Sequence, residues 1–349
     1  MRMKLLGAGL VLLLVAGVVF WYTRSMAPRS LPVVDRSDYL PDAIPRHLTA
    51  LQSENLAERK RAATALWQMR DQAQAAVPAL LQAAKDPDPE VRAAVFKALG
   101  RTSVRTQAAI PALVEGLTDP TTAARAAAAG ALAELWNADK MNPEPGSRAP
   151  PKTRLSPEAE TAARPAIPPL TAALSDGDTE LRVQAVTALS EAGPLAEPAL
   201  KDLTRLAAED PAEKARLYAA IALGNIGPEA RTAVPVLLDR LRNEPIDGIR
   251  GNIAVALGKI HHDAPAVVPA LVHMFLTEEF GDVRSSAVHA LSNFGPEARY
   301  ALEPLRAAAQ DPKYKQKEQL IRDLERLLRQ LERNLPKDET ATPERGRAP

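Results

Sequence analysis

The chain contains no cysteine, which rules out a disulfide framework and any thiol chemistry. That absence suits oxidising and reducing compartments alike and does not choose between them. It also lacks a surplus of charge: 44 Lys and Arg stand against 43 Asp and Glu. No net field is therefore offered to nucleic acid or to anionic lipid. Strand signals are almost missing, with little β-branched alternation and no Asn-Gly hairpin turn. Nor does the chain carry a Gly-rich phosphate loop, a nucleophile elbow, an HExxH pair or a recurring acidic pair. These gaps argue against a catalytic centre.

What the chain has instead is a recurring phrase of an apolar residue and proline: Ile44-Pro45, Val77-Pro78, Ile110-Pro111, Ile167-Pro168, Val234-Pro235 and Val268-Pro269, with weaker copies at Leu200 and Leu302. Successive starts lie 33, 33, 57, 33, 34, 34 and 34 residues apart. A fixed period of this length signals stacked supersecondary units rather than one closed core. Between Val77 and Ala109 the pattern is helix, turn, helix. An apolar stretch (Val77, Leu80, Leu81, Ala84) runs into Asp86-Pro87-Asp88-Pro89, where two prolines stop one helix and set the start of the next. Val91, Val95, Ala98 and Leu99 then share one face of a 3.6-residue period. Gly100 is expected to close this second helix as a left-handed cap.

The second helix, Glu90-Val91-Arg92-Ala93-Ala94-Val95-Phe96-Lys97-Ala98-Leu99-Gly100, resembles the inner helix of HEAT-like repeats of the phycobilisome-lyase type. Echoes run from Leu181-Arg182 to Ala188-Leu189-Ser190, from Ala215-Arg216 to Ala222-Leu223-Gly224, from Ile249-Arg250 to Ala256-Leu257-Gly258 and from Val283-Arg284 to Ala290-Leu291-Ser292. Looser copies carry Arg59 with Ala65-Leu66 and Arg125 with Ala131-Leu132. The tetratricopeptide and ankyrin signatures are missing. The resemblance implies an all-α, right-handed α-α superhelix of about eight helical hairpins over residues 42–335. It transfers no catalytic residue, because such repeats host many activities.

Arg2 and Lys4 precede an uncharged run from Leu5 to Tyr22 that ends in Phe20-Trp21-Tyr22. Eighteen helical residues cover roughly 27 Å, near the thickness of a hydrocarbon core, and aromatic clusters favour the membrane interface. Residues 1–24 are therefore expected to form a tail and a transmembrane signal-anchor, with a linker at 25–41. The rival is a signal peptide cleaved after Ser25-Met26-Ala27, against which stands Pro28 in the position following the cut. The basic tail favours a cytoplasmic N-terminus and an extracytoplasmic solenoid, periplasmic if the source is bacterial. Residues 137–164 carry Pro143, Pro145, Pro150, Pro151 and Pro157 and are expected to form an inserted surface loop. Leu320, Leu324, Leu327, Leu328 and Leu331 line one face of a capping helix, and residues 336–349 are expected to be disordered.

The recurrent arginines (Arg59, Arg92, Arg125, Arg182, Arg216, Arg250, Arg284) could make an anion-binding stripe, but Asp86, Asp119, Asp176 and Asp210 precede several of them in the inter-helix turns. In the family resembled, such pairs form a ladder between repeats, and that reading is preferred. His261-His262-Asp263 occupies a turn after the sixth inner helix, with His273 and His289 in the next unit. These groups are ordinary zinc ligands, yet they have no ligand spacing, so the five histidines, His47 included, are read as turn or surface groups. No metal or cofactor is expected.

Four positions of each inner helix point away from the buried stripe and, in HEAT-like stacks, face the concave groove. They are Ala93, Ala94, Lys97 and Arg101 in the second repeat, and Ala126, Ala127, Gly130 and Glu134, a bare surface, in the third. In the fifth they are Leu217, Tyr218, Ile221 and Asn225, with Val183 before and Val255 and His289 after. An apolar strip with a central tyrosine is a candidate anchor for a protein partner; the competing reading places these residues in the core. The expectation is a membrane-tethered, non-enzymatic scaffold for protein partners, with neither nucleic acid nor a small-molecule substrate. The alternatives are a lyase-related enzyme or enzyme subunit, and a nucleic-acid-binding HEAT-like protein.

Overall fold

The computed structural model describes residues 41–102, 107–141, 154–279, 281–314 and 317–334; the expected anchor, most of the linker and the C-terminal tail lie outside them. Contacts divide the chain into 1–43 and 44–349. In the first unit the described part is the 3-10 turn Pro41–Ala43.

The second unit is a succession of helical pairs, each an outer helix followed by an inner one. They are α1 (Ile44–Ala50) with α2 (Leu56–Met69), α3 (Val77–Ala83) with α4 (Pro89–Thr102), and α5 (Ile110–Gly116) with α6 (Thr122–Met141). The fourth pair is α8 (Ile167–Ala173) with α9 (Thr179–Ala192), preceded by a short α7 (Pro157–Ala163). Then come α10 (Leu200–Glu209) with α11 (Glu213–Ile226), and α12 (Val234–Asn243) with α13 (Asp247–Ile260). The last two are α14 (Ala264–Thr277) with α15 (Gly281–Asn293), and α16 (Leu302–Gln310) with α17 (Glu318–Asn334). Each inner helix packs on the inner helices before and after it, from α2 through α15. No strand occurs among the described residues.

Local chemistry sets these boundaries. Proline in the first turn starts α3, α5, α8 and α12, where its missing N–H costs nothing. Asn55 caps α2 by accepting from the Ala57 N–H at 2.9 Å, and Asp178 caps α9 through the Leu181 N–H at 2.9 Å. Val268-Pro269 departs from the expected pattern: it does not open a helix but lies inside α14, which begins earlier at Ala264, with Pro265 in its first turn, after Asp263 in a left-handed conformation.

One apolar position is fully buried in every repeat from α2 to α15. The leucine seven residues after each recurrent arginine (Leu66, Leu99, Leu132, Leu189, Leu223, Leu257, Leu291) is 0% exposed. Burial of each contributes roughly 1.5–3 kcal/mol. Gly100 does not end its helix, as the sequence suggested, but lies inside α4. A Cβ there would stand 2.7 Å from the Ala131 Cα of the next inner helix; at Gly224 and Gly258 the distances to Ala256 and Ala290 are 2.8 and 2.7 Å. These glycines let consecutive inner helices touch backbone to backbone.

Five inner helices end eleven residues after the arginine, at Arg70, Gly193, Gly227, His261 and Gly295, all with positive φ. The third repeat differs. Trp136 occupies that position, is fully buried, and α6 runs on to Met141. The expected loop at 137–164 is thus helical at its start and again at α7. Asp139 joins the two parts, accepting from the Ser156 N–H at 2.7 Å and its Oγ–H at 2.9 Å. At the far end Leu320, Leu324, Leu327 and Leu331 of α17 are buried.

Candidate partner-binding interface

The recurrent arginines form a continuous ladder on the turn side of the stack. Arg59 donates to Asp86 at 2.7 Å, Arg92 to Asp119 at 2.6 Å, Arg125 to Asp176 at 3.1 Å and Arg182 to Asp210 at 2.9 Å. Arg216 continues it to Glu244 through two bonds, 3.0 and 2.9 Å, and Arg250 reaches Glu278 at 2.6 Å. The last rung, Arg284 to Asp323 of α17, is looser at 3.9 Å. Each guanidinium also donates to the carbonyl six residues before it, as Arg92 does to Asp86 O at 2.9 Å and Arg216 to Asp210 O at 2.9 Å. One side chain therefore closes its own turn and grips the next. Glu244 and Glu278 were not foreseen as rungs, although both sit six residues before an arginine, the same spacing as Asp86, Asp119, Asp176 and Asp210. Spacing, rather than residue type, was the signal.

Electrostatics fits this arrangement. The hydrogen bond from Arg92 holds the Asp119 carboxyl down at about 2, against the opposing effect of burial. For Glu244 burial pushes upward, but Arg216 and Arg240 outweigh it and the carboxyl falls to about 2. With their charges already matched, these arginines do not form an anion stripe.

The other exposed face is built by the inner rows. Leu217, Tyr218, Ile221 and Val255 are half-buried and His289 is exposed, whereas Val183 is buried at 8% exposure and offers no surface. Nor is the third repeat bare: Ala126 and Ala127 are buried, and a Cβ on Gly130 would lie 2.6 Å from Gln184 Oε1. Small residues on α6 let the side chains of α9 close over them. Asn225 links three repeats, donating to Ser190 O at 2.9 Å and accepting from Lys259 at 2.8 Å. The described apolar strip thus narrows to α11 and α13.

In the first two repeats the same rows are basic. Arg61 and Lys97 are exposed, and Arg101 stacks over the half-buried Trp67 ring at 4.3 Å while binding Glu134 at 3.2 Å. Lys97, Arg101 and Glu134 stand on the expected face; the addition of Arg61 and Trp67, which makes it a basic cluster, is hidden in the sequence because net charge averages it away. His261, His262 and His273 are exposed, but His47 is buried, unlike the surface group expected. His261 packs its ring on Phe294 at 5.0 Å. Among the described residues no three His, Asp or Glu groups gather as metal ligands, and no helix is long and apolar enough to cross a membrane.

A profile of HEAT repeats matches residues 21–133 and 200–292. The chain belongs to the HEAT repeat family. Between the matched stretches lie part of the lengthened α6, the insertion and α7 to α9, yet this HEAT chain keeps its ladder there: Asp176 accepts from Arg125 of the matched stretch before it, and Arg182 donates onward to Asp210. No curated protein matches it. Among solved structures, an engineered protein from the Northeast Structural Genomics Consortium aligns with a TM-score of 0.59 at 20% identity, covering 84% of this chain and 79% of that one. A designed armadillo repeat protein in complex with peptide (KR)4 aligns at 0.45 and 18% identity over 72% of this chain and 99% of its own. The complex of CpcE and CpcF of phycocyanin lyase from Nostoc sp. PCC7120 aligns at 0.42 and 21% identity, over 84% and 94%. At such identities the likeness is one of fold.

Proposed function

We propose that this HEAT-repeat chain is a non-catalytic scaffold that holds protein partners on the exposed rows of its inner helices. In this reading residues 5–22 tether it to a membrane, with the N-terminus cytoplasmic and the repeats on the extracytoplasmic side. The observation that carries the binding surface is the half-exposed strip of Leu217, Tyr218, Ile221 and Val255 on α11 and α13. Apolar side chains with a central tyrosine concentrate binding energy when a partner removes them from water. A surface preformed by the ladder keeps the ordering cost of binding low. Tethering would raise the effective concentration of partners in the same membrane.

The test is proximity labelling from the C-terminus of the full chain in membranes, alongside a melting curve. Tyr218→Ala should reduce labelling of a reproducible extracytoplasmic or membrane set several-fold, with the melting midpoint nearly unchanged. Undiminished labelling would sink the surface, and a large loss of stability would make Tyr218 a core residue. Labels confined to cytoplasmic proteins would reverse the orientation.

A further inference from the structure

We propose that the inner rows of α2 and α4 form a second contact zone on the same scaffold, which receives an acidic peptide segment carrying an apolar or aromatic residue. The inference rests on the inner-face binding reading and assigns a chemistry to one end of it.

Four observations converge. First, two of the four cations on these rows are unmatched: Arg61 and Lys97 are exposed and have no carboxylate partner among the described residues, whereas Lys60 pairs with Glu90 and Arg101 with Glu134. Every arginine of the turn-side ladder, by contrast, has a carboxylate within 4 Å, the loosest being Arg284 at 3.9 Å. Second, the outward positions of these two helices (Lys60, Arg61, Thr64 and Gln68 on α2; Ala93, Ala94, Lys97 and Arg101 on α4) include no acidic residue. Residues 44–109 hold ten basic and six acidic side chains, whereas 110–199 hold seven and twelve. The near-zero net charge of the chain therefore conceals a polarity along the stack.

Third, Trp67 stands at the position where the second, fifth and sixth repeats have Gly100, Gly224 and Gly258. An indole replaces a backbone contact there, and it remains half-buried rather than enclosed. Fourth, Arg101 is fixed on that ring at 4.3 Å and held from the other side by Glu134. Its guanidinium is thus set in place before any ligand arrives. A half-exposed aromatic under one fixed cation, on helix rows that also expose Arg61 and Lys97, complements a segment that brings carboxylates and one apolar side chain together. Charge complementarity favours peptide carboxylates, which can spread along the row from Arg61 to Lys97 while an apolar side chain covers the indole.

The experiment is fluorescence anisotropy with the full-length protein and a fluorescein-labelled ten-residue peptide of Glu and Asp around one Phe, compared with its Gln/Asn counterpart. The acidic peptide should bind at least tenfold tighter, and rising salt should weaken it. Arg61→Glu combined with Lys97→Glu should abolish at least tenfold of that preference without moving the melting midpoint, and Lys97→Arg should retain it. If the double variant proves unstable, Lys97→Gln alone should lower the affinity measurably. Equal binding of the two peptides, or no effect of charge reversal, overturns the inference. So does charge reversal that abolishes sedimentation with phosphatidylglycerol vesicles while peptide binding is unaffected, since the zone would then face lipid. Tyr218→Ala should leave this peptide's affinity unchanged, so failure of the α11 surface and failure of this zone register in separate assays.

Discussion

A missing methyl group at Gly224 sets the separation of two repeats. An alanine there should favour the helix by up to ~1 kcal/mol on intrinsic propensity. Its Cβ, however, would stand 2.8 Å from the Ala256 Cα and 3.0 Å from its Cβ. Backbone of the next inner helix cannot swing away as a flexible side chain would, so α11 and α13 must move apart, and overpacking of this kind costs about 1–3 kcal/mol. Gly224→Ala should therefore lower the urea midpoint. Gly248, in the first turn of α13, has nothing within 4 Å of its ideal Cβ, so Gly248→Ala serves as the control and should leave the midpoint unchanged or raise it. A rise for both variants would show that propensity, not the interhelical contact, governs Gly224.

At the scale of the element, the third repeat shows how an insertion is accommodated without loss of register. Its inner helix keeps Arg125 and Leu132 in phase with the other repeats and departs at Trp136, where five of them turn to positive φ. Both sides of the insertion are then tied down: Asp139 accepts twice from Ser156, and Lys140 pairs with Glu191 of the next inner helix. These ties lie outside residues 142–153. Replacing 142–153 by a six-residue Gly-Ser linker should leave the melting midpoint within about 2 °C, while Asp139→Ala should lower it, since it strips a charged acceptor from two part-buried donors at a cost of about 1–3 kcal/mol. A large fall with the linker would show that the excised residues themselves support the stack.

The same repeat marks what the sequence could and could not tell. The proline phrase, the Ala-Leu pair and the arginine are local and recur, so helices, phase and much of the ladder were legible. Gly100 was misread because its reason lies in Ala131, 31 residues away. The closing of Gln184 over Gly130 depends likewise on a different repeat, so the surface expected on α6 is not bare, and Ala126, Ala127 and Val183 are buried. Pro269 was misplaced because the start of α14 is decided upstream, at Asp263.

For the molecule as a whole, the ladder turns separate hairpins into a coupled array, and that coupling depends on ionised carboxylates. In a repeat protein the interfaces between neighbours determine how far unfolding is shared. Asp119 and Glu244 fall from ordinary values of 3.8 and 4.5 to about 2. A carboxyl whose folded pKa is depressed contributes stability that is complete above its unfolded pKa and lost as pH falls through the folded one. The window therefore runs from about pH 4.5 down to about 2, and each group carries roughly 2–4 kcal/mol across it. Urea midpoints should be steady from pH 7 to about 5 and decline below that. Glu244→Gln should be well below the natural chain at pH 7, and the gap should narrow steadily towards pH 2.5, where the carboxyl is losing its charge anyway. A gap equally wide at both pH values would mean that Glu244 acts through packing, and that the rungs from Arg216 to Glu244 couple their repeats by shape rather than by charge.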